Sequence, residues 1–119
     1  MEPIAKIVNE MDADIIIFAG DMINNFKEET LGWEPYFKML KPQDKMYAVL
    51  GNHDYGDYTN WKSPAEKSRN LEGTKQNIRK LGFYLLLNEN TDLIKANDTI
   101  SLIGVENFGS GHFDSYSDL

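Results

Sequence analysis

A chain of 119 residues with 41% hydrophobic content is long enough to bury one core. Its 12 basic residues against 19 acidic ones, a net charge of -7, argue against a nucleic-acid or anionic-membrane surface, and the lack of cysteine removes disulfides, thiolate zinc sites and cysteine nucleophiles. The longest apolar runs, IIIFA and YAVL, are strand-sized, and MEPIAKIVNE lacks the basic start of a signal peptide, so no membrane segment is expected.

The first element is an amphipathic helix in EPIAKIVNEMDA, where Ile4, Ile7, Val8 and Met11 recur at helical spacing and Pro3 suits the first turn. DIIIFAG follows as a strand whose unbroken β-branched content suits burial on both faces, ending at Gly20 and Asp21. In KEETLGWEPYFKMLK the rhythm of Trp33, Tyr36, Phe37 and Leu40 predicts a helix from about Trp33, stopped by Pro42. DKMYAVLG is a second buried strand closed by Gly51, and the stretch between the two glycines has the length of a βαβ unit.

Downstream, Ser63, Pro64 and Glu66 form a capping-box pattern that opens a helix closing near Gly82, with Gly73 a candidate break. FYLLLNEN, DLIKAND and TISLIGVEN read as three short strands, the last two a hairpin around AND. No repeat or linker divides the chain, so residues 1–119 form a single α/β unit with a parallel βαβ core.

Both apolar strands end in glycine followed by polar residues, FAGDMIN and VLGNHDY. Functional groups in open α/β sheets gather beyond the carboxyl ends of the strands, so parallel pairing would bring Asp21, Asn52 and His53 to one edge. A carboxylate, an amide oxygen and an imidazole make a mixed donor set for manganese, iron or zinc. A turn built from Asn, Asp and Gly is the plainer reading of the same residues. The four letters GNHD arise by chance on the order of a few times in ten thousand chains of this length, which favours a site.

GD after one strand and GNHD after the next resemble the calcineurin-like metallophosphoesterases, whose pattern runs D-x-H, G-D, G-N-H-D/E, a later His, and G-H-x-H. The resemblance implies a layered α/β/β/α sandwich and hydrolysis of phosphomonoesters or phosphodiesters with two divalent metal ions. It makes Asp21 the bridging carboxylate, Asn52 a metal ligand, His53 the residue that protonates or stabilises the departing oxygen, and Asp54 a supporting residue behind them. GNHDYGDY, LLNEN and GVENFG are similar to the bacterial, often membrane-associated branch.

The D-x-H strand, the later His and G-H-x-H have no counterpart, so the domain is expected to be incomplete and its metal site short of ligands. GHFD, with His112, lacks the second histidine and reads as a solvated loop. Some branches carry an aspartate where this chain has Asn24, which could accept a hydrogen bond from His53 without supplying charge. Tyr55, Tyr58 and Trp61 suit either a pocket wall or the rim of the core, and Glu106 and Asn107 read as solvated turn residues. The edge left open by a missing strand predicts self-association, and a catalytically incomplete folding or pairing module is the alternative to an enzyme.

Overall fold

The computed structural model describes residues 2–109 and 114–118. Helix α1 spans Glu2–Glu10, strand β1 Ile16–Phe18, helix α2 Glu34–Phe37, strand β2 Met46–Ala48, helix α3 Pro64–Lys80, and strands β3 to β5 Phe83–Leu85, Glu89–Lys95 and Asp98–Gly104. Short 3-10 turns occupy Lys27–Thr30 and Asn52–Tyr55. His112 lies outside the described residues, and none of the described helices is long and apolar enough to cross a membrane.

Strands β1, β2 and β3 form a parallel sheet in that order, with Phe18 opposite Ala48 and Ala48 opposite Leu85. This is the expected mixed α/β architecture with a parallel core. β4 and β5 form a separate antiparallel pair, with Lys95 opposite Asp98 across a turn in which Ala96 has φ of 56°. That turn is the hairpin read from AND.

Side chains of successive strand residues point to opposite faces, and here only one face carries the core. Phe18, Met46, Ala48, Phe83 and Leu85 pack with Phe37, Ile78 and Leu81, and Phe83 meets Phe18 and Phe37 edge-on at 5.9 and 5.6 Å. On the other face Tyr47 is buried while Ile17 and Tyr84 are 50% and 57% exposed. β1 is therefore not covered on both faces as its composition suggested: it is an edge strand whose central residue is half exposed, with no layer over it among the described residues.

Two helices differ from their sequence patterns. α2 is a single α-helical turn that ends at Phe37, well before Pro42, and the chain beyond it tightens into i→i+3 bonds, from the Met39 N–H to the Tyr36 carbonyl and from the Leu40 N–H to the Phe37 carbonyl. α3 runs unbroken through Gly73, against which the Lys27 side chain lies, so the glycine does not break the helix. Along the same face of α3, Asn70, Thr74 and Ile78 are buried at four-residue spacing. Asn70 accepts from the Lys27 N–H at 2.9 Å and donates to the Asn25 carbonyl at 2.8 Å, and Asn77 donates to the Lys27 carbonyl at 2.9 Å. The long helix thus grips the segment leading away from β1 with amides rather than with apolar side chains.

The first helix buries only Ala5, leaving Ile4, Ile7 and Met11 at 57%, 61% and 73% exposure. Asn9 fastens it, donating to the Met39 carbonyl at 2.7 Å and accepting from the Lys41 N–H at 2.8 Å. Between α1, β1 and α2 lies an apolar groove of about 420 Å³, lined by Ile4, Val8, Ile17 and Trp33 and reaching Asp21.

Candidate active site

The two strand-end glycines meet backbone to backbone. Gly20 has φ of 101°, and a Cβ there would lie 2.5 Å from the Gly51 nitrogen. At Gly51 the backbone is ordinary, with φ of -92°, but a Cβ would collide with the Asp21 carboxylate. One glycine is required by conformation and the other by space, and together they let the loops after β1 and β2 touch.

Asp21 itself has φ of 57°, a left-handed conformation that aspartate tolerates better than most side chains. Its Oδ1 accepts the His53 backbone N–H at 3.1 Å, so the predicted convergence of Asp21 with the GNHD loop is present in the fold. The following residues, Met22 and Ile23, are buried and anchor the loop.

Asp54 is fully buried, and its carboxylate bolts the loops together: Oδ2 accepts the Gly51 N–H at 2.9 Å and Oδ1 the Ile23 N–H at 3.1 Å. Burial pushes its carboxyl above the ordinary value, the two N–H donors pull it back, and the nearby Asp21 carboxylate adds to the rise. Asp54 is a structural clamp beneath the exposed groups.

His53 turns its Nδ1 to the backbone carbonyl of Asn24 at 3.0 Å. The side-chain contact expected of Asn24 is replaced by a main-chain one. A carbonyl only accepts, so Nδ1 carries the proton and Nε2 is the ring atom left to exchange one.

The Asn24 carbonyl is held in turn by Glu29, which had no place in the sequence reading. Its carboxylate accepts the N–H groups of Asn24, Asn25 and Phe26 at 2.9, 2.8 and 2.7 Å. Burial opposes its ionisation, but the N–H groups of Phe26, Asn24 and Asn25 outweigh it, with His53 nearby, and hold the carboxyl below its ordinary value. The signal that locates it is positional: Glu29 is the third residue of its 3-10 turn and accepts from the N–H of Phe26 at the cap. Phe26 is not a capping residue type, which obscures the pattern.

Glu106 too differs from its sequence pattern. Rather than a solvated turn residue, it is part-buried, accepting from the Tyr55 hydroxyl and from Asn88 Nδ2, both at 3.0 Å. Tyr55 is 1% exposed and stacks on Tyr116 with ring centroids 3.9 Å apart, and the Tyr116 hydroxyl donates to Asp57, which also pairs with Lys67. Tyr55 belongs to the core, and the residues around 116 brace the GNHDYGDY loop from behind. Trp61 donates to the Gly56 carbonyl at 2.7 Å and meets Phe26 edge-on at 5.5 Å.

Asp21 and Asn52 bring a carboxylate and an amide oxygen to one edge, donors that suit a hard or borderline divalent cation. They do not complete a coordination sphere, because among the described residues no three His, Cys, Asp or Glu side chains gather to hold a metal.

The family model for calcineurin-like phosphoesterase matches residues 1–116. The uncharacterized metallophosphoesterase YkoQ of Bacillus subtilis (strain 168) is 25% identical over 111 residues, which are 92% of this chain and 38% of that protein. The chain thus spans well under half the length of this relative. No solved structure gives a significant match.

Proposed function

This chain belongs to the calcineurin-like phosphoesterase family, a family of metal-dependent hydrolases, and from that premise we propose that it carries the central part of a two-metal site for hydrolysing phosphomonoesters or phosphodiesters. The observation that carries the reading is the 3.1 Å contact between Asp21 and the His53 backbone, which joins the GD and GNHD loops at the carboxyl end of the sheet. Asp21 would bridge the two cations, and Asn52 would bind one of them through its amide oxygen. When bound, manganese, iron or zinc polarises the phosphoryl group and lowers the pKa of attacking water.

His53 supplies the proton. With Nδ1 engaged by the Asn24 carbonyl, Nε2 delivers a proton to the departing oxygen and the neutral ring retains the tautomer that the carbonyl selects. Asp54, tied to Gly51 and Ile23, holds the distance between ligand and acid constant. The remaining donors would come from a D-x-H strand beside the open edge of β1 and from later histidine motifs. The apolar groove that reaches Asp21 supports such a strand.

Calorimetric titration of this chain with Mn²⁺, alongside an assay of aryl phosphodiester hydrolysis, tests the reading. Asp21→Ala should abolish ion uptake, whereas His53→Ala should keep it and lose turnover. Undiminished turnover in chelator would overturn the proposal.

A second reading, a folding or self-associating module, is favoured by one observation: β1 is an edge strand with Ile17 half exposed beside the groove. Sedimentation should then show a concentration-dependent dimer, and a monomer across a wide range counts against it.

A further inference from the structure

Tyr58 touches both residues that the proposed chemistry needs at the GNHD loop. Asn52 Nδ2 donates to its hydroxyl at 2.7 Å, and its ring lies over the His53 imidazole with centroids 4.6 Å apart and planes inclined by 35°. The two contacts act on different degrees of freedom. The hydrogen bond selects which end of a symmetric-looking amide faces which way, and the ring limits rotation of the imidazole about its Cβ–Cγ bond.

We propose that Tyr58 is a positioning residue that sets the Asn52 amide and the His53 ring together, before cation or substrate arrives. The inference rests on the roles proposed above for those two residues. An asparagine binds a cation through its oxygen, so its nitrogen must be committed elsewhere. The Tyr58 hydroxyl is the acceptor that commits it, in the way outer hydrogen bonds orient the direct ligands of metal sites. The imidazole is then clamped from two directions: in its plane by the Asn24 carbonyl on Nδ1 and across its face by the tyrosine ring. With Nδ1 held by a carbonyl and the Asn52 nitrogen held by the Tyr58 hydroxyl, Nε2 is the ring atom open to the proposed proton transfer and Oδ1 the amide atom open to a cation. One side chain thereby couples the geometry of the ligand to that of the acid.

Tyr58 is 44% exposed, so its removal leaves the core intact, and Tyr58→Phe and Tyr58→Ala separate hydroxyl from ring. In isotope-labelled, metal-free chain followed by nuclear magnetic resonance, Tyr58→Phe should shift the Asn52 side-chain amide protons and speed their exchange with water several-fold, leaving the His53 ring protons in place. Tyr58→Ala should move both. Thermal midpoints of both variants should match the unsubstituted protein. In a separate Mn²⁺ titration, Tyr58→Phe should weaken uptake by roughly 10-fold, as loss of an orienting partner does elsewhere.

Unchanged Asn52 amide signals in Tyr58→Phe, or unchanged His53 ring signals in Tyr58→Ala, overturn the inference. Wild-type Mn²⁺ affinity in Tyr58→Phe does so too. If the unsubstituted chain takes up no Mn²⁺, the metal reading falls, and the metal-free amide and ring signals still decide the role of Tyr58.

Discussion

The carboxyl end of the sheet and the flank formed by α1 and β1 are built on opposite plans. At the sheet end the loops are held by polar partners: Asp54 on two N–H groups, Glu29 on three, His53 on a carbonyl. On the flank, Ile4, Ile7, Met11 and Ile17 stand half exposed or more, with Ile4 and Ile17 lining an apolar groove. The loops that would perform chemistry are locked within this chain, whereas the apolar flank has no layer over it among the described residues. Precision at a site needs satisfied hydrogen bonds, and here those that join the two loops come from within the chain. Covering an apolar face needs more surface than these strands and helices supply.

Substitutions can break that contrast, and the largest effect belongs to Gly20. Gly20→Val combines a positive φ with a clash against the Gly51 backbone and should destabilise by about 4 kcal/mol in urea unfolding, separating the two loops. Next comes Asp54→Ala, which strands two buried N–H groups and should cost about 2–4 kcal/mol, with Asp21-dependent Mn²⁺ uptake lost in parallel.

Glu29→Ala should cost less, about 1–2 kcal/mol, since its N–H partners regain water. Its pH signature sharpens the picture. Because the native carboxyl lies below the ordinary 4.5, Glu29 stabilises the fold above that pH and the contribution fades as pH falls through the lower native value. Asp54 acts with the opposite sign, since its native carboxyl lies above 3.8 and the cost of its charge develops as pH rises through that window. Acid titration of stability in Glu29→Gln should therefore lose the stabilising limb and keep the Asp54 one.

The smallest effect is expected on the flank. Ile17→Lys should change stability by no more than about 0.5 kcal/mol, while reducing any dimer seen by sedimentation. A loss as large as that of Asp54→Ala would show that the flank is not the loosely committed half.

The strands are legible because IIIFA and MYAVL are short apolar runs each ended by glycine, and GD and GNHD stand out because the two follow such runs one βαβ unit apart and a four-residue GNHD is rare by chance. Asp21, Asn52 and His53 could be placed at one edge from that alone. The sequence places Asn24 beside His53 but not through its side chain, because a carbonyl leaves no mark on residue type. Glu29 and Glu106 carry no signal in residue spacing, because their partners are backbone N–H groups and distant side chains. Gly73 reads as a helix break because a glycine's cost is local, whereas α3 stays continuous through tertiary contacts such as the Lys27 side chain, 46 residues away in the chain.

Residue type and order were enough to specify the elements, the parallel α/β core and the family motifs, all of which depend on local propensity and short-range pattern. Which face of the sheet is covered, why one glycine needs its φ and the other its missing Cβ, and how Asp54, Glu29 and Tyr58 hold the loops arise only in the folded chain. Those are contacts between segments far apart in sequence, and their energies exist only once the backbone has brought the segments within hydrogen-bonding distance.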